Sequence, residues 1–293
     1  MKPSRQQKIF GVFNIAFFTF IALAMLIPVL FVLSRSFDAM ATGLSTLLIP
    51  RKFSTFYYRL ILTDKGIYRP FLNSMFITMV GTGLAVFLQA MGAYTLAKKD
   101  LPGHDFFIWM LIIPMLFGGG LIPSYLLNKA LGLIDTYRIL IISGLISAWN
   151  MFLIRNYYNS IPASLPESAR IDGAQEFKVF LSIILPLSKP VIAAIALFEG
   201  VSYWNTYMTA VIYINSPEKY PFTVKLRQII SVQEDRRSDM QNLAGQEELL
   251  IQYLNNEGLG CAMIILSMIP IIIAYPYLQK YFTKGLMVGS IKG

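Results

Sequence analysis

The chain has 293 residues, of which 55% are hydrophobic and 14% charged, and its formal net charge is +9. A soluble domain carries about 25% charged residues, so this composition excludes a soluble globular protein and indicates a membrane protein. The chain has one cysteine, Cys261, and one histidine, His104, so the sequence predicts neither a disulfide framework nor a metal site. His104 is expected to be a surface residue of a short loop.

Six segments are apolar over lengths near the roughly 20 residues that a transmembrane helix needs. The fourth is bounded by Arg138 and Arg155, whose charged groups can reach the membrane interfaces, and the fifth contains Glu199. The predicted spans are residues 9–33, 71–97, 106–127, 138–155, 190–214 and 259–280. The predicted fold is therefore an all-α membrane protein with six transmembrane helices, in a single transmembrane domain over residues 1–293.

Basic residues flank the first, second and last spans on what six crossings make one side of the membrane. They are Lys2, Arg5, Lys8, Lys98, Lys99, Lys280, Lys284 and Lys292. Because short cytoplasmic flanks are enriched in lysine and arginine, both termini are expected to be cytoplasmic. The loops 34–70 and 215–258 then lie outside, where they connect helices or contact a soluble partner. Residues 220–230 are expected to be strand-like or irregular.

Three consecutive glycines, Gly118 to Gly120, interrupt the third span between Pro114 and Pro123. They allow either a close approach of two helices or a local break of the span. The chain contains no G-x-x-x-x-G-K-[ST] motif, which excludes a P-loop nucleotide site. Any ATP-driven work must therefore draw on another chain.

Residues 161–186 form a polar segment between two apolar ones, on the same side as the termini. Ser164 and Glu167 have the spacing of a capping box, which predicts the start of a helix. Gly173 predicts a turn, and Pro186 predicts the end of the element that follows. A short capped helix at a membrane surface indicates a docking element for another protein, with an unpartnered interfacial helix as the alternative.

This segment resembles the EAA loop of permease subunits in bacterial ATP-binding-cassette (ABC) importers. The pattern of that loop is E-A-A, three residues, G, nine residues, then I-x-L-P. Here Glu167-Ser168-Ala169 is followed at the same spacing by Gly173 and by Ile183-Ile184-Leu185-Pro186. Ser168 in place of the middle alanine is the departure from the pattern.

The resemblance implies the fold of a type I ABC importer permease, in which the loop couples the chain to an ATPase subunit. Small Ala169 and Ala174 would let the first helix seat deeply in a cleft of the ATPase subunit, and Glu167 would meet a basic group there. Gly173 would turn the chain into a second helix over 175–182, and Pro186 would stiffen the join to the fifth span. The implied coupling residues are Glu167, Ser168, Ala169, Asp172, Gly173, Ala174, Ile183, Leu185 and Pro186.

Nearly the whole chain is similar to carbohydrate permeases of the maltose-transporter type. The similar segments are Gly118-Gly119-Gly120-Leu121-Ile122-Pro123, Ser147-Ala148-Trp149-Asn150-Met151-Phe152-Leu153, Tyr203-Trp204-Asn205 and residues 284–293. The resemblance is greatest to subunits that handle oligosaccharides, including the smaller membrane subunit of alginate importers, which makes alginate the leading substrate.

In that family a permease pairs with a second, different permease, two ATPase subunits and a periplasmic or lipid-anchored sugar-binding protein. The non-catalytic permease is multi-pass in the inner membrane and binds no cofactor, since ATP and Mg²⁺ belong to the ATPase subunits. The C-terminal tail, residues 284–293, is expected to reach the ATPase subunits. Its implied contacts are Val288, Gly289, Lys292 and Gly293.

Aromatic and amide side chains within spans are candidates for contact with a sugar, because rings stack on sugar faces and amides bond hydroxyls. These pathway candidates are Trp149, Asn150, Tyr203, Trp204 and Asn205. For an anionic sugar the basic candidates on the outer side are Arg35, Arg51, Lys52 and Arg69. Glu199 is expected to be a paired or protonated structural residue. An ion-coupled secondary carrier and a membrane scaffold remain as alternatives to the importer.

Overall fold

A computed structural model of the chain describes residues 5–38, 49–50, 52–240, 258–277 and 279. The described residues are mostly helical, and Asp38 and Phe53 form an isolated antiparallel bridge. The α-helices are α1 (Arg5–Ser36), α2 (Phe56–Thr63), α3 (Lys65–Ala97), α4 (His104–Leu116), α5 (Leu121–Ala130), α6 (Tyr137–Ile142), α7 (Ala148–Tyr158), α8 (Ser164–Ile171), α9 (Glu176–Val179), α10 (Leu185–Leu187), α11 (Lys189–Trp204), α12 (Met208–Tyr213), α13 (Phe222–Met240) and α14 (Gly258–Tyr277). A π-helix (Phe180–Ile184) joins α9 to α10, and a 3-10 helix (Pro217–Lys219) precedes α13.

Three of these helices are long and apolar enough to cross a membrane: α1 from Phe10, α3 and α14. Two bent pairs qualify if each is one broken span, which gives up to five spans among the described residues. One pair is α4 with α5, bent by 118°, and the other is Glu176–Leu187 with α11, bent by 84°. The predicted fourth span, 138–155, is divided between α6 and α7. The count of six spans stays a prediction.

The glycine run in the third predicted span breaks the helix between α4 and α5. A Cβ built on Gly118 or Gly119 meets no atom within 4 Å, so neither glycine marks a close approach of helices. Gly120 has φ of +80°, a backbone conformation that favours glycine. Of the two roles expected for this run, the structure therefore shows the local break.

The described residues form two compact units. In the first, residues 1–68 and 226–269, the end of α1 is fixed to the segment that leads into α2. The Ser36 and Tyr58 hydroxyls lie 2.7 Å apart, and the rings of Phe37 and Phe53 stack at 5.1 Å. Tyr57 and Ile61 are the buried residues of α2.

The second unit, made of the described residues within 69–225 and 270–279, holds two clusters of buried side chains. The first core cluster joins α3 to α6, α11 and α12, and includes Ile77, Leu140 and Tyr203. The second core cluster joins the later part of α3 to α7, to the start of α11 and to the polar segment 161–186. Its buried members are Ala90, Ala93, Tyr94, Ile154, Tyr158, Val179, Phe180, Ile184 and Ile195.

A polar clasp in the second unit joins the loop before α6 to the loop after α12. Asp135, whose φ is +58°, accepts hydrogen bonds from the backbone N–H groups of Asn215 and Ser216 at 3.0 and 2.9 Å. The same carboxylate accepts from the Ser216 hydroxyl at 2.6 Å and pairs with Lys219 at 2.7 Å. These donors hold the pKa of Asp135 well below its ordinary value, with the Lys219 hydrogen bond as the largest cause.

The expectation of strand-like or irregular structure over 220–230 is wrong. The chain is helical there, because α13 begins at Phe222. Pro221 precedes the helix, and the Phe222 N–H donates to the Ser74 hydroxyl at 2.8 Å. The β-branched residues Thr223, Val224, Ile229 and Ile230 favour a strand locally, and tertiary contacts override that preference.

Candidate functional site

The polar segment folds into two helical pieces, α8 and the run from α9 through α10, joined by a tight turn at Gly173. The Gly173 N–H donates to the Arg170 carbonyl at 3.0 Å, and the Ala174 N–H donates to the Ala169 carbonyl at 2.9 Å. Gly173 has φ of +83°. These two hydrogen bonds and the positive φ define a Schellman motif, which satisfies carbonyl groups at a helix C-terminus.

The Schellman motif explains the spacing of the small residues in this loop. Ala169 and Ala174 are the two residues that its longer hydrogen bond joins, and both pack on the second core cluster. A hydrophobic contact between these two positions commonly accompanies the motif. Both alanines therefore fix the turn against the chain's own core. They also line a surface groove of about 450 Å³, together with Asp172, Gly173 and Lys178.

The predicted capping box is not formed. The residue before the first turn of α8 is Ala163, Ser164 is already helical, and no side chain caps this end. The Glu167 N–H instead donates to the Ala163 carbonyl at 3.1 Å. Glu167 still lies in the first turn, where a negative charge is favourable beside the helix dipole.

The outward face of the loop is exposed and mixes charged with large apolar residues. Glu167, Ser168, Asp172 and Gly173 are all exposed. Ile171 beside them is 86% exposed, more than the other exposed large apolar residues of the loop, which include Leu165 and Phe177. Exposed apolar side chains among charged ones have the mixed composition of a protein interface.

The second helical piece is longer than predicted. A helix was expected over 175–182, and helical structure continues from Glu176 to Leu187. Ile183 and Leu185 pack on the second core cluster, while Pro186 is exposed. The chain bends by 84° before α11, and the Ser188 hydroxyl donates to the Ile184 carbonyl at 2.6 Å beside that bend.

A charged network joins both pieces of the loop to the end of α3. Glu176 Oε1 accepts a hydrogen bond from Arg170 Nε at 2.8 Å, and Oε2 accepts one from the Tyr94 hydroxyl at 2.6 Å. Lys98 Nζ lies 2.5 Å from the same Oε2 atom. Arg170 Nη2 also donates to the Tyr94 hydroxyl at 3.5 Å. Burial raises the pKa of Glu176, but the hydrogen bonds from Lys98, Tyr94 and Arg170 outweigh it and lower that pKa to about 2.

The same end of α3 is joined to α7. Arg155 Nε donates to the Leu96 carbonyl at 2.8 Å, and His104 Nε2 lies 3.2 Å from the same oxygen. The His104 side chain is only 17% exposed and also lies 3.0 Å from Asp105. The expectation that His104 is a surface residue of a short loop is therefore wrong, because His104 begins α4 and its ring lies between Asp105 and the Leu96 carbonyl.

A second polar cluster lies inside the apolar part of the second unit. Glu199 of α11 is 5% exposed, and its Oε1 accepts from Asn150 Nδ2 at 2.7 Å and from Gln89 Nε2 at 2.8 Å. Gln89, fully buried, also donates to the Leu145 carbonyl at 3.0 Å. The expectation of a paired structural glutamate is confirmed by these contacts, which join α3, α7 and α11.

The predicted pathway residues are not brought together at one surface. Tyr203 is buried, and its hydroxyl donates to the Ile141 carbonyl at 2.7 Å. Trp204 is buried with its ring edge-on to Phe71 at 5.6 Å. It lines an apolar cavity of about 100 Å³, smaller than the roughly 300 Å³ at the low end of ligand sites. Trp149 is 61% exposed, and Asn205 is also exposed.

The remaining predicted residues are distributed over both units. Arg35 is buried in the first unit, with its guanidinium 5.3 Å from the centre of the Phe31 ring. Lys52 and Arg69 are exposed. Arg51 and the tail residues Val288, Gly289, Lys292 and Gly293 lie outside the described residues. Within the described part of the chain, no group of three or more histidine, cysteine or acidic residues could hold a metal ion.

Sequence reasoning missed Glu176, Tyr94, Lys98 and Gln89. Glu176 lies in the recognised loop, and its separation of three residues from Gly173 is a local signal that it follows the turn. Tyr94 and Lys98 carry no such signal, because they meet the loop only through the packing of separate helices. Gln89 within an apolar span is the one whose polarity could have marked it.

The long apolar helices, with an exposed polar loop between apolar segments, are those of a membrane protein. The chain matches the family of binding-protein-dependent transport system inner membrane components over residues 4–288. It therefore belongs to that family, and it is the permease subunit of a carbohydrate ABC importer. As in the related permeases, it is non-catalytic, and ATP hydrolysis belongs to separate subunits.

Two relatives and one solved structure illustrate the similarity. The polygalacturonan/rhamnogalacturonan transport system permease protein YtcP of Bacillus subtilis (strain 168) is 39% identical over 98% of this chain and 100% of its own length. The arabinooligosaccharides transport system permease protein AraQ of the same organism is 30% identical over 97% of this chain and 98% of its own. A chain in the crystal structure of a bacterial ABC transporter involved in the import of the acidic polysaccharide alginate has a TM-score of 0.83 and 32% identity, covering 96% of this chain and 99% of that one.

Family membership decides between the three classes considered from sequence. A carbohydrate ABC permease is neither an ion-coupled carrier nor a scaffold without transport. The chain is a multi-pass inner-membrane protein, and such permeases work with another permease, ATPase subunits and a binding protein.

Proposed function

We propose that this chain forms half of the translocation pathway for an acidic oligo- or polysaccharide and is driven by ATPase subunits that dock on residues 161–186. Glu167, Ser168, Asp172 and Gly173 face the ATPase subunit, and Ile171 is the apolar contact at the centre of that face. Ala169, Ala174, Ile183 and Leu185 hold the face in place from behind, and Pro186 lies beside the bend that leads to α11.

The proposed assembly contains one different permease subunit, two ATPase subunits and a periplasmic or lipid-anchored sugar-binding protein. Six spans would place the N- and C-termini and the polar segment in the cytoplasm. The tail 284–293 reaches between the ATPase subunits through Val288, Gly289, Lys292 and Gly293. The chain binds no cofactor, since ATP and Mg²⁺ are held by the ATPase subunits.

One observation carries the proposed docking role. The loop with the complete spacing of the EAA pattern is folded and exposed, with a Schellman turn at its glycine and an isoleucine that is 86% exposed. A folded helix that presents charge around an apolar centre has the composition of a protein interface.

Co-expression of the tagged chain with its second permease and ATPase subunit tests the docking role. Glu167→Ala with Ile171→Ser should remove most of the co-purified ATPase subunit, because both residues lie on the exposed face. Glu218→Ala, an exposed acid in the 3-10 helix of another loop, is the matched control and should change nothing. Full retention of the ATPase subunit by the double variant would contradict the proposed docking on this face.

Two relatives support an acidic sugar as the substrate. The relative with 39% identity is named for polygalacturonan and rhamnogalacturonan, and the structural neighbour at 32% identity belongs to an importer of alginate. All three polymers contain uronic acid units, and each such ring carries a carboxylate. Alginate is the leading specific candidate, and oligogalacturonate is the nearest chemical alternative.

ATP hydrolysis by the complete transporter in proteoliposomes distinguishes these substrates. The sugar-binding protein is added with alginate oligosaccharides, oligogalacturonates or neutral arabino-oligosaccharides. Stimulation by one acidic sugar and not by the neutral one supports the proposal and names the substrate. Stimulation by the neutral sugar alone overturns the acidic class while leaving the importer role intact.

Among the predicted pathway residues, Trp149 and Asn205 are the proposed sugar contacts, because their side chains are exposed. Asn150, Tyr203 and Trp204 are instead engaged in contacts between helices. Trp149→Ala should raise the sugar concentration for half-maximal uptake, whereas Trp109→Ala, an exposed tryptophan of α4, serves as the control.

A further inference from the structure

The C-terminal end of α3, which is its inner end in the proposed topology, contacts the docking loop 161–186. Lys98 directly follows α3, and Tyr94 lies in its last turn, 9% exposed and packed in the second core cluster. Both contact Glu176, which begins α9 immediately after the Gly173 turn. Arg170, which comes from α8, contacts the same carboxylate.

Glu176 thus contacts three side chains at once, from α8, from α3 and from the residue that follows α3. Its Oε1 accepts from Arg170 of α8, and its Oε2 accepts from Tyr94 of α3 and from the Lys98 ammonium. Tyr94 further ties the network together, because its hydroxyl accepts from Arg170 and Lys98 Nζ lies 4.8 Å from the centre of its ring. The carboxylate is therefore the common point of the network.

We propose that Glu176 is a positioning residue that fixes the docking helix α8 to the inner end of α3, so that a displacement of α8 moves α3 with it. This inference rests on the proposed docking of an ATPase subunit on α8 and assigns the route by which that docking reaches a transmembrane helix. Glu176 itself lies behind the docking face.

Two features make this network suited to transmit a displacement. The Glu176 side chain is 51% exposed, and ion pairs near a surface contribute little to stability. The main effect of this network is therefore to fix the relative position of the elements that it joins. Several hydrogen bonds to one carboxylate resist both sliding and rotation, which a single exposed pair does not.

A second contact, between α7 and the end of α3, determines which helix would move together with α3. The carbonyl of Leu96, two residues before Lys98, accepts a hydrogen bond from Arg155 of α7, and His104 Nε2 lies 3.2 Å from the same oxygen. A force applied through Glu176 therefore reaches α3 and α7 at one level. The inference predicts that breaking the Glu176 contacts uncouples the loop from both helices while leaving the loop folded, since the Schellman turn is independent of Glu176.

The experiment uses the complete transporter in proteoliposomes with its sugar-binding protein. Glu176→Gln removes the charge and keeps the size of the side chain, and Lys98→Met removes the principal cation. Asp100→Asn, an exposed acid two residues after Lys98, makes the same chemical change as Glu176→Gln and is the matched control. The measured quantities are the ATPase subunit bound per chain, the ATP hydrolysis stimulated by sugar-loaded binding protein, and the sugar imported per ATP.

Glu176→Gln is expected to bind the ATPase subunit as the wild type does and to import about two- to thirtyfold less sugar per ATP, the range for residues that carry coupling. Asp100→Asn should match the wild type. The double variant Glu176→Gln with Lys98→Met should be no worse than Glu176→Gln alone, because both changes act through one contact.

The outcomes separate this inference from the proposed function. If the wild-type complex neither binds an ATPase subunit nor responds to sugar, the proposed function fails. If the wild type is coupled and Glu176→Gln imports the same sugar per ATP, the positioning role fails alone. Loss of the bound ATPase subunit in Glu176→Gln would make Glu176 a docking contact, and absence of both single variants from the membrane would make it a folding residue. Either result overturns the inference.

Discussion

Glu199 shows how a charged residue is accommodated within an apolar helix bundle. An unpaired carboxylate facing lipid costs a few kcal/mol, yet this one is 5% exposed and accepts hydrogen bonds from two amides on other helices. Amide donors satisfy the carboxylate oxygen without adding a second buried charge. The residue is therefore explained by its contacts between helices, without a role in proton transfer.

Two substitutions of Glu199 test that explanation. Glu199→Gln keeps an acceptor oxygen for Gln89 and Asn150, so thermal stability should change little and sugar import should continue. Glu199→Leu removes the acceptor of the Asn150 amide and one of the two acceptors of the Gln89 amide. We expect the free energy of unfolding to fall by about 1–3 kcal/mol for the donor left unsatisfied. Thermal unfolding in detergent and uptake assays measure the two effects. Abolished import in a well-folded Glu199→Gln protein contradicts the structural role.

Gly173 is the residue at which backbone geometry matters most for the docking loop. Its φ of +83° is readily adopted by glycine and costs other residues about 1–2 kcal/mol. Gly173→Ala should therefore loosen the end of α8 and reduce co-purification of the ATPase subunit several-fold. A Cβ at this position meets no atom within 4 Å, so any effect comes from the backbone and not from a clash.

Gly83→Ala is the control for Gly173→Ala. Gly83 lies within α3, where its Cβ also meets nothing within 4 Å, and its φ is not positive. Alanine there should leave ATPase binding unchanged. If the Gly173→Ala and Gly83→Ala variants co-purify equal amounts of the ATPase subunit, the turn at Gly173 is not needed for docking.

At the scale of elements, α3, α6 and α11 approach closely around one tyrosine. The Tyr203 ring of α11 lies against Gly81 of α3, and its hydroxyl lies against Gly144 after α6. A Cβ on Gly81 would come within 2.6 Å of that ring, and one on Gly144 within 2.8 Å of the hydroxyl. The two glycines thus leave the space that the Tyr203 side chain occupies.

Gly81→Ala should therefore destabilise the protein, although alanine favours helices more than glycine does. Overpacking against a ring held from both sides costs about 1–3 kcal/mol, whereas the gain in helix propensity is about 1 kcal/mol. Thermal unfolding should show a lower midpoint for Gly81→Ala and an equal or higher one for Gly83→Ala. Partial rescue of Gly81→Ala by Tyr203→Leu would identify the ring as the cause.

The Asp135 clasp makes the stability of the protein depend on pH through the contacts between the two loops that it joins. The folded-state pKa of Asp135 is lowered from its ordinary value of 3.8, so its contribution to stability is present above that pH and is lost as the pH falls below it. Asp135→Asn should lower the unfolding midpoint at pH 7. The difference from the wild type should narrow progressively as the pH falls below about 4, as measured by thermal unfolding from pH 7 to pH 3. A difference that grows at low pH would contradict this assignment.

Several elements could be predicted from the sequence, because their signals are local. The run Gly118–Gly120 predicts either a close approach of two helices or a local break of the span. The spacing of Glu167, Ala169 and Gly173 predicts a docking helix followed by a turn. The sequence failed where another element supplies the deciding contact. The chain is helical from Phe222 despite the β-branched residues that follow. The His104 ring lies 3.2 Å from the carbonyl of Leu96, eight residues earlier at the end of α3.

At the scale of the whole molecule, much apolar surface remains uncovered. The most apolar 18 residues of the first spanning helix, Phe10–Ser36, are not buried against any other described part of the chain. Lipid or another membrane subunit covers a helix of this kind. The proposed heterodimer thus has apolar surface available for it on this chain.

The proposed tail contact also belongs to this scale. Deletion of residues 288–293 should lower sugar-stimulated ATP hydrolysis without changing the amount of ATPase subunit bound, because α8 still supplies the docking face. The assay is ATP hydrolysis by the reconstituted transporter with and without sugar-loaded binding protein. Unchanged stimulation after the deletion would remove the tail from the coupling mechanism.

The sequence by itself determined the class of this protein, because apolar length and loop spacing are properties of contiguous residues. It also marked the polar segment 161–186 as the proposed docking element for a partner. Only the tertiary structure decided what lies behind that segment: Ala169 and Ala174 pack on the chain's own core, and Glu176 bonds to Tyr94 and Lys98. Tyr94 and Glu176 are separated by 82 residues. No local pattern encodes such a contact, since it depends on how α3 packs against the loop.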